Sequence, residues 1–414
     1  MCIWVRWGMY RRLDHFADIH YGKSPSLVID VDGTIPVYGT GGIYAHASSP
    51  LFPGPAVIVP RKGSLGSPHL ATGRFWASDT TYAVIPKSGV DPHWLYYQLC
   101  VFELEKLNEA TGVPSISRDW LAKIDIADQD VPTQAAAAVQ IQCIEQQITH
   151  SEALIAKQEQ VRAGLMQDLF TRGVDETGRL RPPREEAPEL YHETALGWLP
   201  KGWETAFLSE RAPASGGHLK TGPFGSSLKI SHWVEIGHPV ITIGSLGVGC
   251  FIHDELLFVG SETARRLEGY RVAPGDIVFS RVADVGRSVV VDETSDGWII
   301  SSNLMRLRVD SARLRPEIVH LQLAYDPGLR SQLRRTVNSS GREVANAKIM
   351  NALRFLSPPM AEQDRVCELA RRQQQLIRAE ATLLQTLRRQ RKALLRDLLT
   401  PPASAAAEPR IAAE

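Results

Sequence analysis

Two stretches of this 414-residue chain repeat their apolar positions at helical spacing for far longer than an ordinary globular helix needs. In the first, Ile141, Ile144, Ile148, Ile155, Val161, Leu165 and Leu169 fall mostly three, four or seven residues apart. Pro132 opens it, and neither a glycine before Gly164 nor a proline before Pro182 interrupts it. Roughly 40 residues rising about 1.5 Å each predict a rod of ~60 Å. Arg172 and Gly173 supply a basic last turn and a stop. The second stretch opens at Pro358-Pro359. It sets Val366, Leu369, Leu376, Leu383, Leu387, Leu394 and Leu398 on one seam, interrupted by Gln373, Glu380 and Gln390. That alternation of threes and fours is a heptad pattern, which predicts a coiled-coil seam.

Water disfavours both seams, and at ~25 cal/mol per Å2 several buried Leu or Ile side chains are worth several kcal/mol. The economical partner for each rod is the other one. Each leaves the C-terminal end of its own globular segment, so an antiparallel pairing with those segments at opposite ends is expected. In the competing arrangement each helix lies along its own domain. A rod of ~60 Å would overhang a domain of roughly 130 residues, which favours the pairing.

The chain also repeats itself. The rods end in Gln167-Asp168-Leu169-Phe170-Thr171 and Arg396-Asp397-Leu398-Leu399-Thr400, and Thr111-Gly112 and Ser340-Gly341 precede them. Thr111 to Ser340 and Thr171 to Thr400 are both shifts of 229 residues. A period that long is a duplicated domain, not a solenoid.

Elsewhere the pattern is of short β-rich runs broken by Gly and Pro, such as Ile35-Pro36-Val37-Tyr38 and Ala56-Val57-Ile58-Val59-Pro60. A helix is expected over 92–107. In the second half, strands are expected near 239–243, 276–281 and 288–292, and a helix over 316–336. The layout that follows is a globular domain at 1–131, a helix at 132–173 and a Pro- and Glu-rich linker at 174–200. A second globular domain at 201–357, a second helix at 358–400 and a disordered Ala-rich tail at 401–414 complete it. The predicted fold class is α+β, with two similar globular domains separated by two long antiparallel helices forming a coiled coil.

Composition bounds this picture without changing it. Hydrophobic residues make up 43% and charged residues 22%, ordinary for a folded chain, and the formal net charge is zero. Any polyanionic partner must therefore be met by local patches. The five cysteines lie far apart with no Cys-x-x-Cys pair, which predicts reduced thiols and a cytosolic setting. With no signal-peptide core and no apolar run of about 18 residues, a soluble cytoplasmic protein is expected.

The candidate chemistry recurs in both halves. Phe52-Pro53-Gly54-Pro55-Ala56-Val57-Ile58-Val59-Pro60-Arg61 resembles Val272-Ala273-Pro274-Gly275-Asp276-Ile277-Val278-Phe279-Ser280-Arg281. Each is a Pro-Gly turn into a strand that ends in Arg, followed by a glycine loop: Gly63-Ser64-Leu65-Gly66, and Val285-Gly286-Arg287. A guanidinium there can grip a phosphate or the O6/N7 edge of guanine through two parallel hydrogen bonds. The alternative is a surface Arg paired with a neighbouring carboxylate. A second candidate is Gly222-Pro223-Phe224-Gly225-Ser226-Ser227-Leu228-Lys229, whose small residues admit a close ligand; turn formation alone would also explain them. It is not a P-loop.

Lys62, Lys220, Lys229, Arg265, Arg266 and Arg287 are further cations near glycine-bearing loops, most of which solvation alone would explain. Arg388, Arg389, Arg391, Lys392 and Arg396 form a basic run that fits phosphate, an acidic protein or the helix dipole. Nucleophile elbow, zinc-protease, Walker and Asn/Asp-Pro-Pro-Tyr/Phe methyltransferase motifs are missing. A binder is favoured over an enzyme, although catalytic groups assembled in space leave no motif.

Taken in order and in duplicate, these stretches resemble the specificity subunit of type I restriction–modification enzymes. The similarity rests on Trp198-Leu199-Pro200-Lys201-Gly202-Trp203, the 222–229 stretch and Gly275-Asp276-Ile277-Val278-Phe279-Ser280-Arg281. It continues in Ser301-Ser302-Asn303-Leu304-Met305-Arg306 and Pro358-Pro359-Met360-Ala361-Glu362-Gln363. In the first half, Ile35-Pro36-Val37-Tyr38-Gly39-Thr40-Gly41-Gly42 and Ala110-Thr111-Gly112-Val113-Pro114-Ser115-Ile116 carry it.

The resemblance implies two target-recognition domains, each reading half of a split target in double-stranded DNA, with the helices as spacer. It also implies docking of two methyltransferase (modification) subunits and of restriction subunits. No cofactor is expected in this chain; S-adenosylmethionine, ATP and Mg2+ would act on the partners, and no membrane is involved. Expected DNA contacts are Arg61, Lys62, Ser64, Lys220, Lys229, Arg281 and Arg287, with Arg61, Arg281 and Arg287 favoured as base readers. The first domain has no counterpart of the 198–203 opening, so either its first strand is lacking or the start at Met1 is mis-assigned.

Two rival classes remain. A solitary nuclease or hydrolase would turn over DNA with Mg2+ on its own. A coiled-coil scaffold binding protein or carbohydrate would give no DNA gel shift even with the modification subunit present.

Overall fold

The structure, a computed structural model, describes residues 10–399 apart from 109, 225–226, 248, 283–285 and 339–343. The 401–414 tail, Thr400, Ser340-Gly341, Gly225, Ser226 and Val285 lie outside the described residues, as does the start at Met1. The fold is mixed α+β. The chain divides into two compact units through its long helices: the described residues up to Leu154 with those from Glu380, and Ile155–Ala379.

In the first unit an antiparallel four-stranded sheet runs in the order Ala17–Tyr21, Thr81–Pro86, Ala56–Pro60, His69–Ala71. Ala56–Pro60 is buried throughout, which explains its unbroken apolar run. A second sheet orders Gly42–Ala47, Ile35–Gly39 and Trp76–Ala77, the last two parallel. Strand Tyr10–Arg12 pairs with Asp125–Ala127, so the first strand of this domain is present. The expected helix over 92–107 is shorter, Pro92–Val101, followed by a 3-10 turn at Leu104–Leu107. The Asp91 side chain caps it and Pro92 opens it. Leu13, Val57, Val59, Tyr82, Trp94, Leu95 and Leu99 form the core together with Ala137, Ala138 and Ile141 of the first long helix and Leu399 of the second.

The second unit repeats this plan. Its antiparallel sheet runs Leu219–Thr221, Leu304–Leu307, Ile277–Ser280, Ser288–Val290, the same topological order. Its companion sheet again holds a parallel pair, His238–Ile241 with Ile299–Ile300, and Glu204–Phe207 pairs with Arg354–Ser357. Even a close approach is duplicated: a side chain at Gly22 or Gly222 would collide with the backbone oxygen of Ser78 or Ser301, respectively.

The helix expected over 316–336 is two, Pro316–Tyr325 and Pro327–Asn338. Asp326 takes the extended conformation that precedes a proline, and its carboxylate caps the second helix through the amides of Gly328 and Leu329. The expected linker, 174–200, contains a hairpin, Tyr191–Thr194 with Gly197–Pro200. It is tied down where Arg181 meets the buried Glu362 carboxylate, which also accepts from Trp203 Nε1 at 3.0 Å and the Val174 amide at 2.8 Å.

The long helices span Val131–Thr171 and Met360–Leu399. They pair antiparallel within each unit. In the first unit Arg388 meets Glu152 at 2.7 Å, Arg391 meets Glu145 at 2.6 Å, and Gln129 Nε2 donates to Leu398 O at 2.8 Å. In the second, Gln373 Nε2 donates to Gln158 Oε1 at 2.7 Å and Arg162 donates to Gln374 Oε1.

The seam predicted for the second helix needs correction. Leu376 and Leu383 are 58% and 47% exposed, whereas Ile377 and Leu384 are 7% and 8% exposed. The observed seam runs Val366, Ala370, Gln373, Ile377, Glu380, Leu384, Leu387, Arg391. On the first helix Val161 faces out and Arg162 is buried in its place. Among the described residues no helix is long and apolar enough to cross a membrane.

Candidate nucleic-acid interface

Arg61 leaves the end of Ala56–Pro60 with its backbone fixed on both sides. Its N–H donates to Thr80 O at 2.9 Å, and its carbonyl accepts from the Ile116 amide at 3.0 Å. Arg281 leaves Ile277–Ser280 in the same way, donating to Asn303 O at 3.1 Å and accepting from the Ala345 amide at 2.8 Å. Ile116 and Ala345 are 229 residues apart, so the sequence shift is also a structural one. These paired bonds aim each arginine from a rigid strand end.

The guanidinium groups differ in their surroundings. That of Arg61 lies 4.8 Å from the Tyr21 ring centre and 5.8 Å from that of Tyr82, and donates to Asp79 O at 3.2 Å. Burial pushes the Tyr82 phenol up to about 12, so it stays a neutral donor, to Ile116 O at 3.0 Å. Arg118 also approaches Tyr21, at 5.9 Å, and Lys123 lies 5.7 Å from the Trp120 ring. Arg281 lies 5.7 Å from the ring of the exposed Phe224, and its Nε is buried with no hydrogen-bond partner among the described residues. Neither Arg61 nor Arg281 pairs with a carboxylate among the described residues. A cation held against an aromatic face keeps its outward N–H groups available to a planar acceptor.

Lys62 and Ser64 follow Arg61 on an exposed loop whose Gly63 amide donates to Pro114 O at 2.9 Å. Arg287 immediately precedes Ser288–Val290, which pairs antiparallel with Ile277–Ser280, and the Ser280 amide donates to its carbonyl at 2.8 Å. Lys220 lies half-buried on the edge strand of its sheet, its ammonium 4.9 Å from the Tyr270 ring centre. Lys229 is exposed just before the turn Ile230–His232. No hydrogen bond, ion pair or ring contact among the described residues joins Lys220 or Lys229 to Arg281.

Arg265 and Arg266 are exposed in the last turn of Ser261–Arg266, where the helix dipole favours them. Arg388 and Arg391, from the basic run, are engaged by Glu152 and Glu145.

Sequence reading missed the aromatic partners. Tyr21 and Trp120 carry no motif, and Arg118 has Ala347 at its 229-shifted position, so recurrence could not flag it. Phe224 lies within the 222–229 stretch, but nothing in the sequence pairs it with Arg281.

One arrangement, a four-stranded sheet with a strand ending in a fixed arginine beside an aromatic ring, is thus present twice. Residues 5–128 match the family model described as the type I restriction modification DNA specificity domain. In fold the chain is similar to the type-I restriction-modification system S subunit from M. genitalium. The TM-score is 0.61 at 16% identity, covering 97% of this chain and 98% of that one. A second similar chain comes from a structure titled for complex assembly and conformational transition of the type I R-M system. It gives a TM-score of 0.53 at 16% identity, covering 95% and 97%. The fold is that of type I restriction–modification S subunits.

Proposed function

We propose that this chain is the DNA sequence-recognition subunit of a type I restriction–modification complex. It binds a bipartite target in double-stranded DNA, one half-site per globular half, and docks two methyltransferase subunits and the restriction subunits. The observation that carries this reading is the duplication itself: one strand order and one backbone clamp on Arg61 and on Arg281. Two copies of one reading surface suit two half-sites. That a similar chain belongs to a structure of type I R-M complex assembly supports the docking.

Arg61, Arg281 and Arg287 read base edges. The exposed Lys62, Ser64 and Lys229 hold phosphates, and Lys220 joins them from the sheet edge. Most protein–DNA hydrogen bonds go to backbone and sugar, so few side chains need to carry the sequence. Methyl transfer from S-adenosylmethionine and ATP- and Mg2+-dependent cleavage belong to the partner subunits. The work is cytoplasmic and non-catalytic in this chain.

Genome-wide mapping of methylated bases in cells expressing this chain with its modification subunit tests the reading. The expected result is one target of two short specific blocks separated by a fixed unspecific gap. A continuous target, or methylation independent of this chain, overturns it.

A further inference from the structure

Each long helix carries one buried glutamine in its first turns, and the two occupy equivalent positions. Gln134 is 3% exposed and Gln363 is 0% exposed, and they are 229 residues apart. Gln134 Oε1 accepts from the Asp91 amide at 3.0 Å, while Nε2 donates to Gln129 O at 2.8 Å. Gln363 Oε1 accepts from the Arg315 amide at 2.8 Å, while Nε2 donates to Pro358 O at 2.8 Å and Arg313 O at 3.3 Å. Gln129 and Pro358 are again 229 apart, and Asp91 and Arg315 each stand at the N-cap of their own domain's proline-opened helix.

Each amide therefore joins three things inside its own unit: the start of a long helix, the connection entering it and the N-cap of the domain's helix. The bonding works in one orientation only, because the oxygen must face an N–H and the nitrogen a carbonyl. A buried amide left unpaired is costly, so tilting the helix against the domain is penalised in a way that a greasy contact would not impose. The lever is long. A tilt of about 10° at one end of a ~60 Å helix moves the other end by roughly 10 Å. That is on the order of three base-pair steps of about 3.4 Å.

We infer that Gln134 and Gln363 are positioning residues that fix the angle between each recognition half and its long helix. They thereby restrict the gap accepted between half-sites. The inference rests on the bipartite reading above. Its test uses the full chain assembled with modification subunits, carrying Gln134→Met, Gln363→Met or both; methionine fills similar space without hydrogen bonding.

Hydrogen exchange at the Asp91 and Arg315 amides should quicken at least tenfold in the corresponding variant. Methylated-base mapping should then show at least one additional gap length with both specific blocks unchanged, and a broader range in the double variant. An unchanged gap in variants whose exchange has quickened overturns the inference while leaving the bipartite reading intact. If a Met variant fails to assemble, Gln→Glu, which retains the acceptor and loses the donor, is read by the same two outcomes. A wild-type target without two blocks overturns the functional reading, and this inference with it.

Discussion

Arg281 sits at a strand end with both backbone groups bonded, so removing its side chain leaves the sheet intact and takes away only the guanidinium. Arg281→Ala is expected to weaken binding by ~1–3 kcal/mol for targets with the correct second half-site and to relax selection there, leaving the first half-site unaffected. Binding to duplexes altered in one half-site at a time checks this. An equal loss on every sequence, with a shallower salt dependence, would move Arg281 from bases to phosphate.

His320 belongs to the residue scale too. It is half-buried, shares a 2.9 Å hydrogen bond with Ser288 Oγ, and is pushed down from 6.5 to about 4 by desolvation, with the Arg162 charge adding to it. A base with a depressed folded pKa stays neutral while the unfolded chain takes up a proton. Its stabilising contribution is whole above about pH 6.5 and is lost as pH falls towards 4. Urea midpoints at pH 7 and pH 4.5 should show the wild type losing about 2–3 kcal/mol more than His320→Gln across that interval. Equal losses would show that His320 titrates alike in the folded and unfolded chain.

At the scale of elements, the helices existed in the sequence but their facing sides did not follow from it. Leu376 and Ile377 are both apolar, as are Leu383 and Leu384, so either member of each pair completes an alternation of threes and fours. Counting apolar residues also skips polar seam positions. Ser151, Gln158 and Arg162 of the first helix and Gln373 of the second are all buried or half-buried. Polar groups on a seam pair with defined partners and so specify register, as Arg391 with Glu145 does within the first unit. The corrected seam makes Leu384→Ala cost about 2–3 kcal/mol and Leu383→Ala below about 0.5. Denaturation midpoints of the two variants decide between the seams, and the reverse order would restore the predicted one.

At the scale of the molecule, duplication is the organising fact, and it reaches from the 229-residue shift down to single hydrogen bonds. The N-caps Ser117 and Asn346, the clamps on Arg61 and Arg281, and the starts of the long helices at Val131 and Met360 all obey that shift or share its geometry. Upstream the halves diverge in sequence, yet the strand order is kept. Sheet topology depends on which strands pair, and many sequences satisfy it, while the loops between them are less constrained. Two halves that share a frame and differ in sequence fit the proposed reading of two unlike half-sites.

The sequence alone determined the long helices, the repeat and the two strand-end arginines. These are local: periodicity, proline and glycine stops and a fixed shift are written in neighbouring residues. Tertiary structure decided which helix face is inward, that Arg61 rests on Tyr21 and Arg281 near Phe224, and that Gln134 and Gln363 bind the domains to their helices. Each of those depends on residues brought together from distant parts of the chain. A buried glutamine looks in sequence like any polar residue on a solvated helix, and only its neighbours in space give it a partner.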